Sequence, residues 1–216
     1  FFAEIFSDIS ETFFKGKSLE GNLVTTIELT VQIFLEKILQ DFYSKWNPDI
    51  EGGIIINPKN GEIYAMAAIP TFNPNQYNLE KNQRVFINPL VENVYEMGSI
   101  IKSLTMAAGI DSGVITANST YYDEGFLKIN NKIISNFDKK GRGLVNMQEV
   151  LNQSLNTGAV YVSKKIGKDE FVKYMFGFGI GEETGIDLPN EAVGLVSNLL
   201  NKQDVAIATA SFGQGI

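Results

Sequence analysis

Ser99 and Lys102 stand three residues apart in Gly98-Ser99-Ile100-Ile101-Lys102. On a helix, such positions share a face with Cβ atoms about 5–6 Å apart, so the lysine amine reaches the serine Oγ. A lysine in apolar surroundings gives up its charge more easily, and the neutral amine can take the serine proton. A serine opening a helix also has free backbone N–H groups and the positive end of the dipole beside it, suited to a developing oxyanion. Composition leaves few rivals, because the 216 residues include no His and no Cys. That excludes Ser-His-Asp and Cys-His triads, disulfides, Cys-ligated zinc and H-E-x-x-H metal sites. Any general base must be Lys, Asp, Glu or Tyr. Chance alone supplies about one S-x-x-K and one S-x-N in a chain of this composition. Placement therefore carries the argument: Ser99 opens an apolar helix, and Ser154-x-Asn156 interrupts another where a polar loop can face the same cleft.

The elements that must hold these residues follow from periodicity. Phe2, Ile5, Phe6, Ile9 and Phe13 recur at helical spacing, and Lys15 to Asn22 looks like a linker. Val31, Phe34, Leu35, Ile38, Leu39, Phe42 and Trp46 mark one face of a core-packing helix that Asn47-Pro48 ends. The apolar runs 53–57 and 62–67 flank Pro58-Lys59-Asn60-Gly61, which predicts an antiparallel hairpin with both Asn60 and Gly61 at positive φ. Ile69 to Asn75, with two prolines, is an irregular loop. Residues 98–109 form a buried helix with Lys102 in its middle, an expensive place for a lysine. Tyr121 to Ile134 reads as strands and turns. A helix over 145–153 breaks near residues 154–158 and resumes to Ile166, a short helix spans 168–176, and a glycine-rich loop follows through Gly185.

Charge and hydropathy narrow the partners. The net charge is -7, and Arg84 and Arg142 are the only arginines. An acidic chain without a basic stripe is a poor binder of nucleic acid. No stretch reaches the ~20 apolar residues of a membrane span, and the acidic start does not read as a signal peptide.

The segment Tyr95-Glu96-Met97-Gly98-Ser99-Ile100-Ile101-Lys102 resembles the nucleophile motif of the penicillin-binding proteins, the D,D-transpeptidases that cross-link peptidoglycan. Asn57 to Met66 resembles that family's first hairpin, and Ile69-Pro70-Thr71-Phe72-Asn73-Pro74-Asn75 is similar to its monofunctional class B branch. Phe176-Gly177-Phe178-Gly179, then Thr184-Gly185-Ile186-Asp187-Leu188-Pro189, then Ser211-Phe212-Gly213-Gln214-Gly215 match in the same order. The likeness runs from about Leu23 to the last residue.

The resemblance implies an α+β fold like that of penicillin-binding proteins and serine β-lactamases, an antiparallel sheet flanked by helices with an all-helical subdomain. Residues 1–22 would end a pedestal or linker, and 23–216 would be the N-terminal part of the transpeptidase domain. By the same likeness Ser99 is the acylated nucleophile, Lys102 its base and Ser154 a proton relay near the leaving group. Asn156 holds the substrate's peptide amide, and the Ser99 N–H forms half of an oxyanion hole. No metal or cofactor is called for. Partners would be stem peptides ending in D-Ala-D-Ala, β-lactams, and cell-wall synthesis proteins such as a glycosyltransferase, at the extracytoplasmic face of a bacterial membrane through an anchor absent from this chain.

Met97, Ile100 and Ile101 replace the Pro, Thr and Phe of many relatives. No Lys is followed by Ser or Thr and then Gly. In the family that third motif lies beyond the Ser-Phe-Gly-Gln-Gly segment, so the chain is expected to be incomplete at its C-terminus, and catalytically so. Two other classes compete with a transpeptidase. One is a non-catalytic scaffold or β-lactam sensor. The other is a serine β-lactamase, disfavoured because Glu182, Glu183 and Glu191 stand in no E-x-x-L-N arrangement.

Overall fold

The structure, a computed structural model, describes residues 24–216. The helix read over 2–13, the linker and the pedestal segment lie outside the described residues. The rest falls into two compact units, residues 24–93 with Asp187–Glu191, and Val94–Ile186 with Ala192–Ile216.

In the first unit, helix α1 (Leu29–Trp46) lies on a two-stranded antiparallel sheet, β1 (Glu51–Ile56) against β2 (Ile63–Ile69). Leu35 and Leu39 pack with Ala65, flanked by Val31, Ile55 and Ala67. Asn47 ends the helix in the left-handed conformation, φ 44°, as its Asn-Pro signal implies. The apolar face is wider than the sheet it covers. Phe34, Phe42 and Trp46 are exposed, so only part of the predicted core stripe is core.

The hairpin forms with a different turn from the one predicted. Gly61 alone takes positive φ (80°), its N–H bonding to Asn57 O at 2.9 Å while Asn57 N–H bonds to Glu62 O at 2.9 Å. Pro58 fixes φ near -65° at the first turn position, so the chain winds right-handed before Gly61 reverses it. A short helix α2 (Pro89–Glu92) follows, with Asn88 accepting from Leu90 N as its N-cap.

The second unit carries the predicted motifs. A 3₁₀ turn (Gly98–Ile100) leads directly into helix α3 (Ile101–Asp111). Two pairs of short strands and several helices surround it: β3 (Thr120–Asp123) pairs with β6 (Gly143–Asn146), and β4 (Phe126–Ile129) with β5 (Lys132–Ser135), all antiparallel. Then come α4 (Met147–Asn152), α5 (Asn156–Ile166), α6 (Lys168–Gly177), α7 (Ser197–Asn201) and α8 (Asp204–Ala210). The break between α4 and α5 is narrower than predicted, because Asn156, Thr157 and Gly158 already belong to α5.

Helix α3 packs on α5 at close range. A Cβ on Gly109 would stand 2.6 Å from Val162 Cγ1, so only glycine permits that approach. Ile101 joins Phe171, Val172, Met175, Leu199 and Ile207 in one cluster, and Met106 joins Ile115, Tyr121, Met147, Val150, Leu155 and Val162 in another. Helix α3 is thus clamped on two sides by apolar packing. Among the described residues no helix is long and apolar enough to cross a membrane.

Candidate active site

Ser99 is exposed on the 3₁₀ turn, and one helical turn on Lys102 is 2% exposed. The lysine Nζ donates to Ser99 Oγ at 3.1 Å, to Ser154 Oγ at 2.8 Å and to Ser154 O at 2.7 Å. Ser154 Oγ in turn donates to Ser99 Oγ at 3.0 Å. Three side chains predicted from sequence therefore meet in one hydrogen-bonded triangle. Burial pushes the Lys102 amine down from 10.5 to about 8, because desolvation disfavours the ammonium. Among the described residues no carboxylate is hydrogen-bonded to the amine.

Local backbone explains how Ser154 arrives there. Ser154 has φ 53°, a left-handed conformation that costs a non-glycine residue about 1–2 kcal/mol. Its N–H bonds to Leu151 O and that of Leu155 to Val150 O, at 3.2 and 2.9 Å, so the chain reverses within two residues. Fully buried Leu155 anchors the reversal. Both the carbonyl and the hydroxyl of Ser154 then aim at Lys102.

The Ser211 to Gly215 segment brackets the turn that carries Ser99. Gly98 N–H bonds to Gly213 O at 3.0 Å, Thr105 Oγ1 donates to Ser211 O at 2.8 Å, and Gly215 N–H to Glu96 Oε1 at 2.9 Å. A Cβ on Gly213 would lie 2.0 Å from Gly98 O, and Gly213 has φ 78°. The glycine is required on both counts.

Asn156, half-buried, does not join the triangle. Its Nδ2 donates to Ser135 O at 2.9 Å. The next residue, Thr157, is bonded to Asn136 and Asp123, two buried polar residues that sequence reasoning missed. Only the turn signal Asp123-Glu124-Gly125 hints at them, since Gly125 N–H caps on Asp123 Oδ1 at 2.9 Å. Also missed was Arg142, which forks onto Asp138 at 2.8 and 2.9 Å and donates from Nε to Gln153, the neighbour of Ser154, at 3.0 Å. This pair holds the Asp138 carboxyl down at about 2. Among the described residues no three Asp or Glu side chains converge in a way that could hold a metal ion.

Chemically, the triangle is an exposed hydroxyl with a desolvated amine at its back and a second hydroxyl closing the ring. A family profile described as the penicillin-binding protein transpeptidase domain matches residues 52–216. Stage V sporulation protein D of Bacillus subtilis is 33% identical over 192 residues, covering 88% of this chain and 30% of its own length. The peptidoglycan D,D-transpeptidase FtsI of Buchnera aphidicola is 29% identical over 93% of this chain and 35% of its own length. The transpeptidase domain of penicillin-binding protein 3 from Burkholderia pseudomallei superposes with a TM-score of 0.75 at 21% identity, over 88% of this chain and 53% of that one. A peptidoglycan glycosyltransferase structure from Burkholderia ambifaria gives 0.77, also at 21% identity, over 89% of this chain and 56% of that one. The chain belongs to the penicillin-binding-protein transpeptidase family, with the α+β fold of that domain. It spans about a third of the length of the two curated relatives named above.

Proposed function

We propose that the intact protein is a class B peptidoglycan D,D-transpeptidase working through an acyl-Ser99 intermediate, and that β-lactams acylate the same serine. The observation that carries this reading is the closed Ser99–Lys102–Ser154 triangle. In its neutral form Lys102 keeps two protons for Ser154 O and Ser154 Oγ and turns its lone pair to the Ser99 hydroxyl. Ser99 Oγ attacks the carbonyl of the penultimate D-Ala as Lys102 takes its proton. Backbone N–H groups at the start of the helix meet the negative oxygen. Collapse breaks the C–N bond, and the proton passes from Lys102 through Ser154 to the departing amine of the terminal D-Ala. An amine from a neighbouring stem then attacks the ester, and its proton returns along the same path to free Ser99. Asn156 Oδ1 accepts from a peptide N–H of the bound stem. With a β-lactam, the broken amide nitrogen stays tethered and blocks the second attack.

In this reading residues 23–216 are the first part of the transpeptidase domain, facing the cell wall. Its substrates are D-Ala-D-Ala-ended stem peptides, and its partners are other wall-synthesis enzymes. The test is release of D-Ala and formation of cross-linked dimer by the intact protein on nascent glycan. Activity that survives Ser99→Ala would overturn the assignment.

A further inference from the structure

Beneath the Ser154–Asn156 reversal lies a polar cluster that the acylation steps above do not use. Asp123, Asn136 and Thr157 are 1%, 2% and 4% exposed. The Asp123 carboxylate accepts from Asn136 Nδ2 at 2.9 and 3.1 Å, from Thr157 Oγ1 at 2.7 Å, and from the backbone N–H groups of Gly125 and Arg142 at 2.9 and 3.2 Å. Asn136 Oδ1 accepts from Thr157 N–H at 3.2 Å. The single Thr157 proton goes to the closer acceptor, Asp123, so its oxygen accepts from Tyr121 OH at 3.2 Å. Burial pushes the Tyr121 phenol up to about 12, which keeps that donor protonated.

Among the described residues no cationic side chain is hydrogen-bonded to this carboxylate; the Arg142 guanidinium is bound to Asp138 and Gln153 and attracts Asp123 only from a distance. A buried carboxylate held only by neutral donors is a costly way to fill space, and worth it where several donors must be fixed at once. Here the fixed groups belong to four segments: the end of β3 with the turn after it, the end of β5, the residue before β6 and the first turn of α5. The Asn156–Thr157 stretch is gripped twice by the β5 end, through Asn156 Nδ2 on Ser135 O and Thr157 N–H on Asn136 Oδ1.

We infer that Asp123 is a positioning residue of the acylation site: through Asn136 and Thr157 it sets the orientation of the Asn156 amide and the reversal that carries Ser154. The inference rests on the transpeptidase reading of Ser99. In Asp123→Asn one oxygen becomes an NH₂ facing the donors of Asn136 or a backbone N–H. A displacement of about 1 Å at a substrate-positioning group costs about 10²-fold in rate.

The experiment measures acylation of the intact protein by a fluorescent β-lactam, separating initial binding from the acylation rate, with thermal melting in parallel. Asp123→Asn is expected to weaken initial binding and slow acylation, about 10²-fold together, with the apparent acylation pKa unchanged. The exchange Asp123→Asn with Asn136→Asp restores a donor facing an acceptor between the two side chains and an acceptor for Thr157 N–H; at least tenfold recovery is expected. Val172→Ala, in the α6 core, supplies a variant destabilised away from the site. Acylation no slower in Asp123→Asn than in Val172→Ala at a matched loss of melting temperature, or no recovery in the exchange variant, overturns the inference. If Asp123→Asn does not melt cooperatively, Thr157→Val replaces it; a loss of about fivefold or more supports the inference and parental kinetics overturn it. A parent protein that takes no label refutes the Ser99 reading itself, and this inference with it.

Discussion

If Lys102 is the base, the pH dependence of acylation must follow its deprotonation. Burial places the amine at about 8 rather than 10.5, and only the neutral form can accept the Ser99 proton. The neutral fraction is about 1% at pH 6 and one half at pH 8, so the second-order acylation rate should rise about 50-fold across that interval. Above pH 9 the rise should flatten to less than about twofold. A lysine left at its ordinary value would keep gaining about tenfold per unit up to pH 10. The assay is stopped-flow or quenched labelling with a β-lactam that is itself stable over the range. Lys102→Ala should lose about 10²–10⁴-fold in rate while its far-ultraviolet circular dichroism stays that of the parent. A profile flat from pH 6 to 9, or one still climbing at pH 10, would refute the claim that desolvation tunes this base.

Gly213→Ala should fail at a distance from the chemistry. The added Cβ meets Gly98 O at 2.0 Å on a backbone at φ 78°, so a loss of at least about 1–3 kcal/mol in stability should accompany loss of acylation, read by melting and labelling. Asn156→Asp sets a carboxylate oxygen against Ser135 O, where Nδ2 now donates at 2.9 Å. Labelling about tenfold slower or worse is expected, and an unchanged rate would remove Asn156 from substrate binding.

What could be read from sequence were the local signals. The period of Val31 to Trp46, the Asn-Gly turn, and the apolar run around Lys102 each announce an element or a cost within a few residues. They located α1, the first hairpin and helix α3. The details depended on tertiary context. Pro58 changed the turn type, and the sheet under α1 left Phe34, Phe42 and Trp46 exposed. Ser99 and Lys102 were legible because helix geometry joins them, and Ser154 because it breaks a helix. That Ser154 Oγ lies 3.0 Å from Ser99 Oγ, across 55 positions, follows from the packing of α3 on α5 and from a left-handed serine, neither visible in composition. Asp123 and Asn136 carried no signal beyond one turn, since their partners come from separate segments.

The central claim is that Ser99 is the residue that becomes acylated. Mass spectrometry of the intact protein after brief exposure to a β-lactam, followed by digestion, tests it directly. The expected result is one adduct, with the mass of the opened lactam, on the peptide containing Ser99, and none in Ser99→Ala. An unmodified Ser99 peptide, or an adduct that persists in Ser99→Ala, would contradict the account.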